Sequence, residues 1–326
     1  MKFLEKTDQQ RETLPKLRGL GATAHVFEKD AVFAINAALA AERPLLIRGE
    51  PGTGKSQLAR AAAAGLGRAF LSKVIDARTE VRDLFYSFDA VRRLADAQVQ
   101  AALGSEEPDP RKHQAQVEER LAVANYLEPG PLWWCFSWDS AQAQAARGQA
   151  EVPESPGDWS PTQGCVLLLD EIDKADSAVP NGLLEALGHG QFDRLGGEPV
   201  TRDEGAEPPL VIVTTNEERS LPNAFLRRCL VLQLALPRKD DELRTWLVGR
   251  GRAHFDCEDG VLIKAANLLV EDRKEARSRS LCPPGQAEYL DLLRAVTTQS
   301  EDPDEQEWLV DAVRTLTFRK HPTDAA

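Results

Sequence analysis

Apolar and polar positions along the chain alternate between two rhythms. Short unbroken apolar runs occur at Leu45–Ile47, Cys165–Leu169 and Leu210–Val213, each followed at once by polar or glycine residues. Runs of that kind predict strands buried on both faces of a parallel sheet. A further strand is predicted over 69–77 and another over 231–234. Helical spacing appears in 30–41 (Val32, Phe33, Ile35, Ala38, Leu39), where Asp30 is the expected N-cap, Pro44 stops the pattern and the Phe33–Ile35 face is expected in the core. It appears again from Leu58 to Leu66, a helix that Gly65 and Gly67 would end. Thr79 to Leu84 predict a turn into a helix, 180–192 a short helix broken by Gly188 and Gly190, 196–208 a hairpin tip or exposed loop, and 221–229 another short helix.

Between 85 and 163 the rhythm is irregular. It holds a helical patch (Val91, Leu94, Ala95, Val99), a charged break at Glu106–Pro110 and a second helix (Val117, Leu121, Ala124). Then comes Tyr126-Leu127-Glu128-Pro129-Gly130-Pro131-Leu132-Trp133-Trp134-Cys135-Phe136, bounded by turns at its prolines. Trp133, Trp134 and Phe136 form either local core or a contact surface for a partner. Residues 147–164, rich in Gly, Pro, Ser and Glu, predict a mobile loop. Beyond Pro237 only helices are predicted, at 240–250, 259–272, 284–299 and 304–319, the last with Trp308, Leu309, Ala312, Val313 and Leu316 at helical spacing. The expected division is a loosely held leader over 1–20, an α/β core over 21–236 with an insert at 85–163, and a helical unit over 237–326.

The chemistry gathers where strands end. Residues 49–56 read Gly-Glu-Pro-Gly-Thr-Gly-Lys-Ser, the G-x-x-x-x-G-K-[ST] pattern, with a strand before it and a helix after it. Gly49, Glu50, Pro51, Gly52, Thr53, Gly54, Lys55, Ser56 and Gln57 are the candidate nucleotide-binding residues. Glycines let successive backbone N–H groups point inward at phosphate, and the helix start adds its dipole. Lys55 is suited to the β- and γ-phosphates of ATP, and the Ser56 hydroxyl to Mg²⁺. Asp170 and Glu171 close the Cys165–Leu169 strand at its carboxyl end, where open α/β sheets bind ligands. Asp170 is placed for the Mg²⁺ shell, and Glu171 to polarise an attacking water. Asn216 ends the next strand and is either a turn former or a group that bonds the γ-phosphate or the water. Arg227 and Arg228 end the short helix that follows, as a solvated pair or as a trans-acting arginine. A contact to the nucleotide base is expected somewhere in 22–36.

Composition narrows the class. The 326 residues are 42% hydrophobic and 28% charged, ordinary for a globular chain, and carry a formal net charge of −12. That balance argues against phosphate-backbone binding as the main task, so nucleic acid is unlikely as the main ligand, though a local basic channel stays open. Cys135, Cys165, Cys229, Cys257 and Cys282 form no C-x-x-C and read as reduced thiols of a cytosolic protein. The charged N-terminus is not a signal peptide, no apolar run has transmembrane length, and no internal repeat is seen. A cytoplasmic location is expected.

Four stretches together, Gly-Glu-Pro-Gly-Thr-Gly-Lys-Ser, Leu-Leu-Leu-Asp-Glu-Ile-Asp-Lys, Val-Thr-Thr-Asn-Glu-Glu-Arg and Leu-Pro-Asn-Ala-Phe-Leu-Arg-Arg-Cys, resemble the MoxR-like branch of the AAA+ ATPases in order and spacing. Tyr-Leu-Glu-Pro-Gly-Pro-Leu-Trp resembles the stretch that carries that branch's insert. The resemblance spans about residues 20–300. It implies a P-loop AAA+ fold, a parallel sheet sandwiched by helices and followed by a small all-helical lid domain. Lys55 and Ser56 become the phosphate and metal ligands, Asp170 and Glu171 the metal-shell and water-activating acids, Asn216 the first sensor. Arg228, with Arg227 as second candidate, becomes the arginine finger. A finger that acts in trans implies a ring, usually a hexamer, that hydrolyses ATP to remodel or assemble a protein client, often alongside a partner with a von Willebrand factor A domain. An ATP-dependent switch or scaffold ring and a DNA-acting motor or nuclease subunit, as in phage defence, are the alternatives. One departure from the branch is plain: where many relatives carry a second sensor arginine, this chain reads Pro283-Pro284-Gly285-Gln286, with Arg277 and Arg279 lying upstream.

Overall fold

A computed structural model describes residues 2–16, 23–103 and 109–318. The chain opens with β1 (Arg11–Leu14) and β2 (Thr23–Val26), an antiparallel pair, then α1 (Lys29–Ala41), β3 (Leu45–Arg48), α2 (Lys55–Leu66) and β4 (Ala69–Val74). The irregular middle comprises β5 (Tyr86–Phe88), α3 (Ala90–Leu103), α4 (Pro110–Arg120), β6 (Leu127–Pro129), α5 (Pro131–Phe136) and α6 (Trp138–Gly148). Then follow β7 (Cys165–Asp170), α7 (Ala178–His189), the short hairpin β8 (Gln191–Phe192) and β9 (Val200–Thr201), β10 (Leu210–Thr215), α8 (Asn223–Leu226) and β11 (Leu230–Gln233). Four helices complete the described chain: α9 (Asp240–His254), α10 (Asp259–Ser278), α11 (Gln286–Gln299) and α12 (Pro303–Thr317).

Five strands form one parallel sheet in the order β11-β3-β10-β7-β4. The three central strands are the three apolar runs, buried because helices cover both faces. Period-two alternation splits each run between two apolar layers. Leu45, Ile47, Val166, Leu168, Leu210 and Ile212 pack with α1 and α2. Leu46, Leu167, Leu169, Val211 and Val213 pack with α5, α6 and α7. The third apolar cluster belongs to α9–α12 alone. This is the expected α/β architecture, a helix-flanked parallel sheet followed by helices.

Several local expectations change. Residues 2–16 are not a loose leader: Leu4 and Leu14 are buried, and Leu4 lies against Gly65, where a Cβ would stand 2.6 Å from the leucine methyl. Gly65 therefore sits inside α2 as a packing position, and the left-handed Gly67 (φ 67°) alone ends the helix. The other leader residues, 1 and 17–20, lie outside the described residues, as do Glu106, Glu107 and Pro108 of the charged break. Glu28 holds the N-cap position of α1 without a side-chain cap bond, the Lys29 N–H donates to Asp8 Oδ1 at 3.0 Å, and Asp30 lies in the first turn. Its buried face is Ala31, Val32, Ile35, Ala38 and Leu39; Phe33, two residues and about 200° of rotation from Ile35, is exposed. Gly188 likewise does not break α7, which runs to the left-handed Gly190.

Trp133, Trp134 and Phe136 are core. Trp133 meets Phe192 edge-on at 6.0 Å, and Trp134 meets Trp138 at 4.9 Å. Trp159, in the stretch expected to be mobile, packs on Trp138 at 4.5 Å and donates from Nε1 to the Gly164 carbonyl. On α12 the buried residues are Gln306, Leu309 and Val310, and Trp308 and Leu316 face outward. Cys135 and Cys165 are buried neighbours, and all five cysteines are free.

Candidate active site

The glycine-rich loop runs from the end of β3 to the start of α2. Gly52 and Gly54 take left-handed backbone (φ 75° and 90°), which turns the chain into the helix at low steric cost. Thr53 closes the loop by donating from Oγ1 to the Glu50 carbonyl at 2.9 Å. Lys55 is the first residue of α2, with its side chain buried beneath the loop. Its Nζ donates to the carbonyls of Gly49 (2.8 Å) and Glu50 (3.0 Å) and to Asn216 Oδ1 (2.7 Å). Burial pushes the Lys55 pKa down, against the pull of Asp170, Asp173, Glu171 and Glu217.

Ser56 donates from Oγ to the Asp170 carboxylate, with both oxygens within 3.0 Å. That contact joins the phosphate loop to the acids that end β7, two strands away in the sheet. Thr214, from the intervening β10, donates to Asp170 Oδ1 and accepts the Glu171 N–H at 3.0 Å. Glu171 sits in the left-handed region (φ 62°), a conformation uncommon for a glutamate. Its carboxylate is held from two sides: Asn216 Nδ2 donates to Oε1 at 3.1 Å, and Lys174 Nζ to Oε2 at 2.6 Å. The hydrogen bond to Glu171 raises the Lys174 pKa. Asn216 thus bridges Lys55 and Glu171, so lysine, amide and carboxylate form one chain of contacts across three strand ends.

Of these groups Lys55, Ser56, Asp170, Glu171 and Asn216 line one side of a cavity of about 290 Å³. Pro51, Gly52, Gly54 and Gln57 line it too. The other end is formed by Ala24, His25 and Val26 of β2, within the 22–36 stretch expected to meet a base, and by His254 and Leu290 from α9 and α11. Gln286 and Ala287, at the start of α11, complete the wall. One end is charged and donor-rich, the other is apolar with two imidazoles, as a triphosphate and a base would require. His25 is pushed down to about 3 and His254 to about 4, each by burial first and then by the Arg250 charge, so both rings are neutral.

Arg227 and Arg228 stand apart. They are exposed at the end of α8, whose Phe225 is buried, and neither lines the cavity of its own chain. Arg277 and Arg279 do not line it either; Arg277 lies 4.0 Å from Glu50 and Arg279 pairs with Glu275. Motif reading missed His25, Lys174, Thr214, His254 and Gln286. Four of them carried some signal: Lys174 follows the acids in the quoted turn, Thr214 stands in the stretch that ends at Asn216, His25 lies in the 22–36 stretch, and Gln286 stands where many relatives carry a second sensor arginine; His254 carried none.

Residues 44–229, more than half of the chain, match the AAA domain (dynein-related subfamily). Among solved structures, the chain is similar to a "putative ATPase" from Cytophaga hutchinsonii, with 13% identity, 88% of this chain and 79% of that one covered and a TM-score of 0.38. It is also similar to a RuvB mutant from Thermotoga maritima, with 16% identity, 87% and 68% covered and a TM-score of 0.42. At such scores neither likeness bears on the assignment, which rests on the domain match. A comparison with curated proteins finds no match. With a phosphate loop, a carboxylate pair and an amide converging on a single cavity, the chain belongs to the AAA domain family, dynein-related subfamily, and is a P-loop ATPase.

Proposed function

We propose that this ATPase is of MoxR type and works as a ring, a hexamer, that uses ATP hydrolysis in the cytoplasm to remodel or assemble a protein partner. A partner bearing a von Willebrand factor A domain fits that reading. The observation that carries it is the placement of Arg228. Arg228 is exposed and is not among the residues that line its own cavity, whose lining cation is Lys55 at the loop. A neighbour's Arg228, with Arg227 beside it, would supply the second cation. The net charge of −12 favours a protein client over nucleic acid.

The roles of the chain's own residues follow from the contacts. Loop amides and Lys55 bind the β- and γ-phosphates. Asn216 orients both the γ-phosphate end and Glu171, and Glu171 takes the proton of the attacking water at its carboxylate. Ser56 and Asp170 offer a hydroxyl and a carboxylate side by side, an all-oxygen pair suited to Mg²⁺. Among the described residues no group of three or more His, Cys, Asp or Glu could hold a metal ion, so this pair fits an ion that takes its remaining ligands from phosphate and water. Such an ion would neutralise charge developing on the phosphate oxygens.

The test is turnover by purified Glu171→Gln and Arg228→Ala proteins, alone and mixed. Loss of the base is expected to cost about 10²–10⁴-fold and loss of the finger about 10³–10⁵-fold, with ATP still bound. Mixing the two inactive variants should restore part of the activity, because some interfaces then pair an intact Glu171 with an intact Arg228. Unaltered hydrolysis in Arg228→Ala, or no recovery on mixing, overturns the ring reading. A partner retained by Glu171→Gln in the presence of ATP and released by the parent would support remodelling.

A further inference from the structure

The C-terminal helices reach the phosphate loop at Glu50, where Arg273 bonds and Arg277 stands 4.0 Å away, and at Gly52, contacts that the loop motif does not call for. Arg273, on α10, is buried, with 3% side-chain exposure, and donates from Nη2 to Glu50 Oε2 at 3.0 Å. Its Nη1 donates to the Pro284 carbonyl, two residues before α11 begins. At the second point, the Ala287 N–H donates to the Gly52 carbonyl at 3.1 Å. The approach there is close on both sides. A Cβ on Gly52 would stand 3.2 Å from the Ala287 methyl, and one on Gly285 would stand 3.3 Å from the Pro51 carbonyl. One guanidinium therefore holds the phosphate loop by its glutamate and the start of α11 by a backbone carbonyl. Gln286, the first residue of α11, faces the cavity with a neutral amide.

We infer that Arg273 is a positioning residue for nucleotide binding: through Glu50 it fixes the distance between the phosphate loop and the start of α11, and so sets where Gln286 and the α11 N-terminus meet the triphosphate. Arg273 is not among the residues lining the cavity, so it acts through others. A forked guanidinium can serve two acceptors in two directions at once, whereas a lysine ammonium at the end of a flexible stem does not reproduce that geometry. Where a relative could tie its helical unit to the γ-phosphate by a charged arginine, this chain ties it to the protein's own loop and leaves an amide to face the ligand. This inference rests on the ATPase reading of the cavity.

The test is a double-mutant cycle on Glu50→Gln and Arg273→Lys, with Glu50→Asp as the conservative variant. A fluorescent ATP analogue reports affinity and dissociation rate, steady-state kinetics give KM and kcat, and melting without nucleotide gives Tm. Glu50 is half exposed, so Glu50→Gln should keep the fold. Each single change is expected to weaken nucleotide binding by about three- to tenfold, with faster dissociation and kcat within about twofold, and the double variant to be no weaker than the worse single one. Glu50→Asp should recover part of the affinity. Unchanged affinity in Glu50→Gln, strict additivity in the double variant, or affinity losses that merely track loss of Tm would each overturn the inference. Binding is read without turnover, so an unaltered protein that binds the analogue but hydrolyses nothing would count against the ATPase reading and not against Arg273.

Discussion

Gly49 is the point where the phosphate loop has least room, and replacing it by alanine should separate backbone fit from side-chain chemistry. A Cβ there would stand 2.3 Å from the Leu234 carbonyl oxygen and 3.2 Å from Thr53 Oγ1. Reaching even 3.0 Å from that carbonyl requires a shift of at least 0.7 Å, the difference between 3.0 and 2.3 Å. Neither neighbour is free to give. Leu234 donates its N–H to the Arg48 carbonyl at 2.8 Å, and Gln233 is in register with Arg48 in the β11–β3 pair. The loop must therefore lift away from the sheet edge, at a cost of about 1–3 kcal/mol, typical of an overpacked site. At roughly 2–4 °C per kcal/mol this is a fall in Tm of about 2–12 °C. The same shift moves the Gly49 carbonyl that holds Lys55 Nζ, and a misplacement approaching 1 Å can cost about 10²-fold in turnover. Gly188→Ala is the matched control. It lies within α7, and no atom comes within 4 Å of where its added methyl would stand, so it should gain about 0.5–1 kcal/mol and leave turnover unchanged. Calorimetry without nucleotide and a phosphate-release assay read both quantities. A Gly49→Ala protein with the parent's Tm and rate would refute the steric reasoning.

Acidification should weaken the fold through the two imidazoles at the base end of the cavity. Their folded pKa values, about 3 for His25 and about 4 for His254, lie below the ordinary 6.5, so the unfolded chain binds more protons between those limits. Their contribution is complete above about pH 6.5 and is lost as pH falls to about 4 for His254 and about 3 for His25; Tm measured across that window should drop less steeply in His25→Gln, and equal slopes would show that His25 is not buried in neutral form. Trp133→Ala should cost about 3–5 kcal/mol in denaturant unfolding, because the ring is fully buried against Phe192 and its Nε1 donates to Ser140 Oγ. A loss below about 1 kcal/mol would return Trp133 to the surface reading.

The parts of the molecule legible in the sequence are those whose signal is local. Leu167 and Val211 sit in runs that only a doubly covered strand explains, and the loop from Gly49 to Ser56 carries its chemistry in consecutive residues. Asp170, Glu171 and Asn216 are legible because each follows such a run directly. Phe33 and Trp308 mislead because helical spacing alone counts an apolar residue toward the core without regard to its angle on the helix. Leu14 has no apolar residue of the strand beside it and Leu4 has only Phe3, too sparse a pattern to announce a packed segment. Gly65 and Gly188 read as helix breakers, yet one is needed to admit Leu4 and the other merely costs a little stability. His25, His254, Gln286 and Arg273 belong to the site only through tertiary approach of segments more than 200 residues apart, and no spacing in the sequence encodes that.

The apolar cluster of α9–α12 shares no residue with the two clusters that flank the sheet. The cavity, however, draws its walls from both sides of that divide. A nucleotide held there would act as mortar between separately buried interiors, and a ligand at about a hundredfold over its Kd would add about 2.7 kcal/mol to their joint persistence. Unfolding would then be most cooperative with the cleft filled and less so as it empties.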